Sequence, residues 1–173
     1  MEPRWLTERE GMAWRSFVLT WQLLDRELGR DLEADAGLSH ADYTLLVGLS
    51  EAPGRRCRMS ELAEFLQFSR SRISHAISRL EGLGWVRRED CPDDRRGSFA
   101  VLTDEGLAKL VAAAPGHVES VRRYVFDRLT EEQVDQLGTI CRQLVDPFND
   151  EPLDGPLAEN LRRSGAERSG TGR

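Results

Sequence analysis

Apolar residues recur every three to four positions over the first part of the chain. This pattern starts after Thr7-Glu8-Arg9-Glu10, which has the spacing of a capping box at a helix N-terminus. It continues for about seven turns to Gly37 and predicts a long amphipathic helix. Burying a large apolar side chain stabilises by about 1.5–3 kcal/mol, so we expect a second chain to cover this stripe. The apolar positions are Trp14, Phe17, Val18, Trp21, Leu24, Leu28 and Leu32.

Helical spacing also predicts three further helices outside the centre of the chain. One starts at Ser39-His40-Ala41-Asp42 and closes at Pro53-Gly54, and the next is capped by Thr103. Pro115-Gly116 either kinks that helix or divides it, and the apolar spacing that resumes beyond favours a kink. A second capping box, Thr130 to Gln133, opens a last amphipathic helix. Its apolar face consists of Val134, Leu137, Ile140, Cys141, Leu144, Val145 and Phe148.

Two short helices are predicted in the centre of the chain, between Met59 and Thr103. The first covers 61–66 after Ser60, and the second runs from Arg70 to about Leu83 behind the cap Ser69. Two helices joined by so tight a turn form a helix-turn-helix. The second has one buried stripe: Ile73, Ala76, Ile77, Leu80 and Leu83.

A basic β-hairpin is predicted directly after this helix-turn-helix. Gly84 ends the helix, a strand follows from Trp85 to Glu89, and its return covers Ser98 to Leu102. The turn between them, residues 91–97, carries two arginines at its tip. A short strand within 55–58 is expected to pair with this hairpin. The fold class is therefore mostly α, with a small antiparallel β-hairpin wing.

The second helix of the motif presents a polar face away from its buried stripe. None of the side chains on or beside this face is acidic, which suits a phosphate-lined groove. The face residues are the candidates for base or phosphate contact in a major groove, although an ordinary solvated helix face has the same composition. Arg70 and Arg72 are placed to contact phosphate. The face consists of Ser71, Ser74, His75 and Ser78, flanked by Arg72 and Arg79.

The net charge of −6 is unevenly distributed. Residues 54–100 hold ten arginines and seven acidic residues, a balance of +3, so the remainder of the chain carries −9. The positive segment coincides with the proposed DNA-binding segment, which is the distribution a nucleic-acid-binding protein needs. The preference for arginine is a weaker argument, since the whole chain has the single lysine Lys109.

The segment SELAEFLQFSRSRISHAISRLEGLGWVRRE, followed by Asp94-Arg95-Arg96, Leu102-Thr103 and Glu105-Gly106, resembles the MarR family of bacterial transcription regulators. The resemblance covers roughly residues 7–148. In that family an Asp-x-Arg pair in the wing is a DNA-contact signature, and here it falls on Asp94 and Arg96. Asp94 is expected to orient an arginine, with Arg79 as one candidate, and Arg95 and Arg96 to enter a minor groove.

The resemblance implies a homodimer with two winged lobes. Residues 7–37 and 104–148 would form the dimerisation region, 39–103 the DNA-binding lobe, and 149–173 a disordered tail. Two recognition helices about 34–36 Å apart imply a near-palindromic operator. The family also implies a repressor released by a small aromatic or anionic effector, bound where the dimer helices meet the lobe. The candidate lining residues are Trp14, Phe17, Trp21, His40, Tyr43 and His117, for which core or interface packing is the alternative.

Other functional classes find little support in the sequence. The chain has no Gly-rich phosphate loop and no HExxH or GxSxG motif, so we expect neither an enzyme nor a cofactor. The three cysteines Cys57, Cys91 and Cys141 lack zinc-site spacing, and Cys91 is expected to be the most accessible. No apolar run is long enough for a membrane helix and no signal peptide is evident, which predicts a cytoplasmic protein. The remaining alternatives are a winged-helix module that binds protein and a cysteine-based redox sensor.

Overall fold

The computed structural model describes residues 2–66, 68–91 and 94–145, but not the side chains of Phe65 and residues 94–96. Two short 3₁₀ turns, Pro53–Arg55 and Phe126–Arg128, join the longer elements. The predicted tail and Phe148 lie outside the described residues. The helices are α1 (Glu8–Ala36), α2 (His40–Glu51), α3 (Met59–Phe65), α4 (Arg70–Gly82), α5 (Asp104–Tyr124) and α6 (Glu131–Val145), and the strands are β1 (Arg56–Arg58), β2 (Val86–Cys91) and β3 (Asp94–Leu102).

The helix ends follow the capping residues in the sequence. Thr7 and Glu10 form the reciprocal capping box of α1, and Gly37 ends that helix in the left-handed conformation, at φ 60°. Ser69 Oγ accepts a hydrogen bond from the Arg72 backbone N–H at 3.2 Å and so caps α4. Local hydrogen bonds of this kind explain why the predicted helix boundaries are confirmed to within a residue or two.

The helix α5 is continuous through Pro115 and does not divide into two helices. The helix α3 begins two residues earlier than predicted, so that Ser60 lies inside it and does not precede it. Among the described residues no helix combines the length and the apolar character needed to cross a membrane.

The three strands form an antiparallel sheet in the order β1-β3-β2. The predicted short strand pairs with the hairpin as expected, with Cys57 opposite Ala100. The return strand is longer than predicted, since it begins at Asp94, paired with Cys91, and not at Ser98. Arg95 and Arg96 therefore lie on the end of a strand rather than in the turn.

The hydrophobic core lies in the lobe formed by α2, α3, α4 and the sheet. Its fully buried side chains include Leu45, Leu49, Leu62, Ile77 and Leu80. The helices α1 and α6 differ, because α6 has no buried residue and α1 buries Leu32 alone. Among the described residues, these two helices carry most of the large apolar side chains that are exposed.

Candidate nucleic-acid interface

The recognition helix α4 is amphipathic as the sequence predicts. Ile73, Ala76, Ile77 and Leu80 are buried on its inner side. Leu83, predicted to belong to the same stripe, is 51% exposed because the helix ends at Gly82. The predicted face residues are all exposed on the opposite side: Ser71, Ser74, His75 and Ser78. These polar side chains are therefore free to meet a macromolecule without disturbing the core.

Two arginines beside this face are held by contacts within the lobe. Both terminal nitrogens of Arg79 donate to the carboxylate of Asp42 on α2, whose side chain is only 3% exposed. This hydrogen bonding raises the pKa of the Arg79 guanidinium. The partner seen for Arg79 is thus Asp42, whereas the side chain of Asp94, the partner suggested from the sequence, lies outside the described residues. Arg72 lies over the ring of Phe68, with its guanidinium carbon 3.7 Å from the ring centre.

The carboxylate of Asp42 is itself fixed by the cap of α2. Ser39 Oγ donates to Asp42 Oδ2 at 2.6 Å and accepts from the Asp42 backbone N–H at 3.1 Å. A buried charge is tolerated only when it is paired and hydrogen-bonded, and both conditions are met here. The position of α4 relative to α2 is therefore set by this ion pair as well as by the apolar stripe.

Arg88 on β2 connects the wing to the recognition helix. Its Nη2 donates to the Ser74 carbonyl oxygen at 2.9 Å and to Ser78 Oγ at 2.7 Å. The Arg88 backbone N–H donates to Glu81 Oε1 at 3.1 Å. Ser78, predicted to contact DNA, also serves as an acceptor within the lobe.

A polar crevice of about 440 Å³ separates α4 from the sheet. Three arginines line it: Arg58 of β1, Arg70 of α4 and Arg88 of β2. The other lining residues include Ser60, Ser74 and Ser98. Arg70 and Ser74, each predicted to contact DNA, therefore line the same crevice as Arg58 and Arg88.

For the residues predicted at the wing tip, the structure describes the backbone but not the side chains. The backbone of Asp94, Arg95 and Arg96 belongs to β3, at the far end of the hairpin from α4's C-terminus. Their side chains are outside the described residues, so their predicted contacts with a minor groove stay predictions.

The six candidate effector residues fall into two groups. His40, Tyr43 and His117 lie together, and the His117 ring is 4.4 Å from the Tyr43 ring and 6.1 Å from the His40 ring. Burial, followed by the proximity of His40, lowers the pKa of His117. His117 Nδ1 is buried without a hydrogen-bond partner.

The aromatic residues of α1 lie elsewhere and are largely exposed. Trp14 stacks on Phe17 with ring centres 6.2 Å apart, and Trp21 is 63% exposed. Phe17 and Trp21 line an apolar groove of about 480 Å³ between α1 and α6, together with Leu137 and Ile140. The single chain therefore does not gather the six candidates into one crevice.

The cysteines are placed differently from the prediction. Cys91 is buried, because β2 continues past Glu89 and turns this residue inward, whereas Cys141 on α6 is exposed. Cys57 is also buried, and burial together with the nearby Glu61 raises its pKa to about 12. A thiol with so high a pKa is a poor nucleophile at neutral pH, so Cys57 does not suit a redox sensor.

The comparisons with known proteins agree with this geometry. A family model described as "MarR family" matches residues 36–97. The chain is 54% identical to Sco3205 of Streptomyces coelicolor, a MarR family transcriptional regulator solved in complex with DNA. The match covers 90% of this chain and 97% of Sco3205, with a TM-score of 0.81. The chain belongs to the MarR family.

Two other relatives extend this result. AbsC, a MarR family transcriptional regulator from S. coelicolor, is 44% identical over 86% of this chain and all of its own, with a TM-score of 0.78. The transcriptional repressor MprA of Escherichia coli is 26% identical over 72% of this chain and 70% of its own. The winged-helix fold predicted from the sequence is thus confirmed, and the chain has the family's transcription-regulator architecture.

The sequence prediction omitted two arginines that line the crevice, Arg58 and Arg88. Strand alternation is the signal that identifies them. In β1 the buried Cys57 places Arg56 and Arg58 on the other side of the strand. The same alternation separates Arg87 from Arg88 on β2. Alternation alone shows which arginines share a side of the strand. Which side faces α4 depends on the sheet register, which only the structure gives.

Proposed function

We propose that this MarR family protein acts as a homodimeric, sequence-specific DNA-binding transcriptional repressor. One observation carries the proposal: the exposed polar face of α4 adjoins an arginine-lined crevice. Ser71 and His75 would contact base edges in the major groove, and Arg70 and Arg72 the phosphates. The complex of the 54% identical Sco3205 with DNA supports the DNA-binding part of the proposal.

The dimer is proposed from the apolar surface that α1 and α6 leave exposed. Five large apolar side chains of these helices are each at least half exposed: Trp14, Phe17 and Trp21 of α1, and Ile140 and Leu144 of α6. So large an apolar surface is typical of an interface rather than of a solvated monomer. A two-fold dimer through these helices would present two α4 helices to successive major grooves of a near-palindrome.

Release by a small molecule is the third part of the proposal. A small aromatic or anionic effector would bind near His40, Tyr43 and His117, where α2 of the lobe meets α5 of the dimer region. Binding there would favour a dimer geometry with a different spacing of the two lobes, and so lower the affinity for DNA. Aromatic carboxylates such as benzoate are suitable first probes of this step.

Fluorescence anisotropy over a salt series tests the DNA-binding part. We expect tight binding to a near-palindrome from the protein's own promoter region, and weaker binding to a random duplex of equal length. Affinity for both should fall steeply with salt, because neutralising several phosphates releases counterions. His75→Ala should weaken only the palindrome complex. Equal affinity for both duplexes, or none at low salt, would remove the basis of the proposal.

A further inference from the structure

The crevice between α4 and the sheet has the chemistry of an anion site. Three guanidinium groups, from Arg58, Arg70 and Arg88, line it together with the serines described above. None of its described lining residues is acidic. Arginine binds phosphate oxygens through two parallel N–H donors, which a crevice with several guanidinium groups favours further.

The location of the crevice identifies the anion. In duplex DNA one sugar–phosphate backbone separates a major groove from the neighbouring minor groove. A protein that places α4 in the major groove and the hairpin in that minor groove must straddle this backbone. The crevice lies between these two elements, so the backbone strand would pass along it.

Arg88 keeps the two walls of the crevice together before any ligand arrives. Its Nη2 hydrogen bonds reach two acceptors on α4, Ser74 and Ser78, from the neighbouring strand. A side chain already ordered in this way costs little further conformational entropy on binding. The spacing between helix and wing is thereby set in the free protein.

We propose that this crevice is the seat of one backbone phosphate per lobe, with Arg58 and Arg70 as its ligands and Arg88 as a positioning residue. The proposal rests on the DNA-binding function proposed above. It gives a role in DNA binding to Arg58 and Arg88, which belong neither to the recognition helix nor to the wing tip.

The first test compares Arg58→Gln with the matched control Arg87→Gln. Arg87 is on the same hairpin, but it pairs with Glu89 and lines a different depression, beside Arg55 and Asp104. Arg58→Gln should weaken binding to palindromic and random DNA alike, by about tenfold per lobe. It should also reduce the salt slope by about 0.9 per lobe. Arg87→Gln should leave both quantities near wild type, and equal losses in the two variants would overturn the proposal.

A methylphosphonate scan of the palindrome identifies the phosphate directly. Neutralising the phosphate held in the crevice should weaken the wild type but leave Arg58→Gln almost unaffected. Every other position should weaken both proteins equally. If the loss of affinity from each methylphosphonate is the same in Arg58→Gln as in the wild type at every position, Arg58 contacts no phosphate and the proposal fails.

Arg88→Lys tests the positioning role, because lysine keeps the charge without the planar fork that reaches two acceptors. Its affinity should fall about tenfold while its salt slope and thermal unfolding midpoint stay at the wild-type values. Wild-type affinity in this variant would overturn the positioning role. These outcomes are distinct from failure of the proposed function, in which the wild type itself would bind no duplex at low salt.

Discussion

At the scale of single residues, Asp42 is buried and His117 is half-buried, and the two side chains respond differently to a change of charge. Asp42 is a charged group taken out of water and satisfied by Arg79 and Ser39. His117 is a neutral ring whose Nδ1 is buried without a partner. The contacts of Asp42 require its negative charge, whereas the environment of His117 favours the uncharged ring.

Replacing Asp42 with asparagine should destabilise the fold by about 2 kcal/mol. The amide keeps the volume but removes the charge and turns a donor toward Arg79. The expected loss of stability is smaller than for a fully buried ion pair, because Arg79 is half exposed and its guanidinium can be solvated by water. Urea unfolding measures the change.

The matched control is Asp104→Asn, which removes an ion pair with Arg55 from a carboxylate that is 94% exposed. Such a pair contributes little, so unfolding should shift by no more than about 0.5 kcal/mol. Similar losses in the two variants would mean that burial of Asp42 does not determine the strength of its contact.

His117 should make stability fall on acidification. Its pKa in the folded state is lowered by burial and by His40, so the unfolded chain binds a proton first as pH decreases. Stability is complete above the ordinary histidine pKa, about 6.5, and is lost as pH falls toward the lowered value.

Thermal unfolding between about pH 7 and pH 5 tests this prediction. We expect His117→Phe to flatten the decrease, since phenylalanine has no proton to gain. The neighbouring imidazole is His40, whose ring centre is 6.1 Å away and whose Nδ1 lies 2.7 Å from Asp25 Oδ1 on α1, so His40→Gln is the parallel variant. An unchanged slope in His117→Phe would contradict the assignment.

At the scale of elements, the packing of α5 on the start of the hairpin leaves no room for a side chain at Gly106. A β-carbon there would lie 2.1 Å from the Trp85 carbonyl oxygen and 2.8 Å from Leu102 Cδ1. The Thr103 backbone N–H donates a hydrogen bond to that same carbonyl oxygen at 3.1 Å, which holds the two segments close together. The first turn of α5 is thus held directly against the base of the wing.

Gly106→Ala should therefore cost about 3 kcal/mol, because the obstructing atom belongs to the backbone and cannot turn aside. Gly82→Ala provides the control, since its β-carbon would meet open space at the end of α4. That change should be neutral or stabilise by up to about 0.5–1 kcal/mol. Denaturant midpoints for the two variants measure the difference, and equal midpoints would contradict the described packing.

Elements were predictable from the sequence where local signals determine them. The boxes at Thr7 and Thr130 and the cap Ser69 act within a few residues, so they mark helix starts without knowledge of the fold. The start of β3 was placed four residues too late, because pairing of Asp94 with Cys91 depends on the sheet register. The same error made Cys91 look accessible.

Side-chain partners distant in sequence were not predictable. Arg79 and Asp42 are 37 residues apart, and nothing near either residue indicates the pairing. Arg88 and Ser74 meet only because the hairpin folds back against α4. The exposed face of α4, by contrast, follows from helical periodicity alone, which is why Ser71, Ser74, His75 and Ser78 were placed correctly.

At the scale of the whole molecule, charge and apolar surface are segregated. The segment 54–100 carries +3 within a chain of net charge −6, so the cationic residues are concentrated in the DNA-binding lobe. The exposed apolar residues are concentrated instead on α1 and α6. One part of the subunit is therefore suited to a polyanion and the other to a second subunit.

The central claim is that two subunits joined through α1 and α6 bind one near-palindromic duplex. Analytical ultracentrifugation of the protein, alone and with a fluorescent palindrome or a single half-site, measures this most directly. We predict a dimer of chains in the absence of DNA, two chains on each palindrome, and much weaker binding to the half-site. A monomer in free solution, or one chain bound equally well to palindrome and half-site, would contradict the claim.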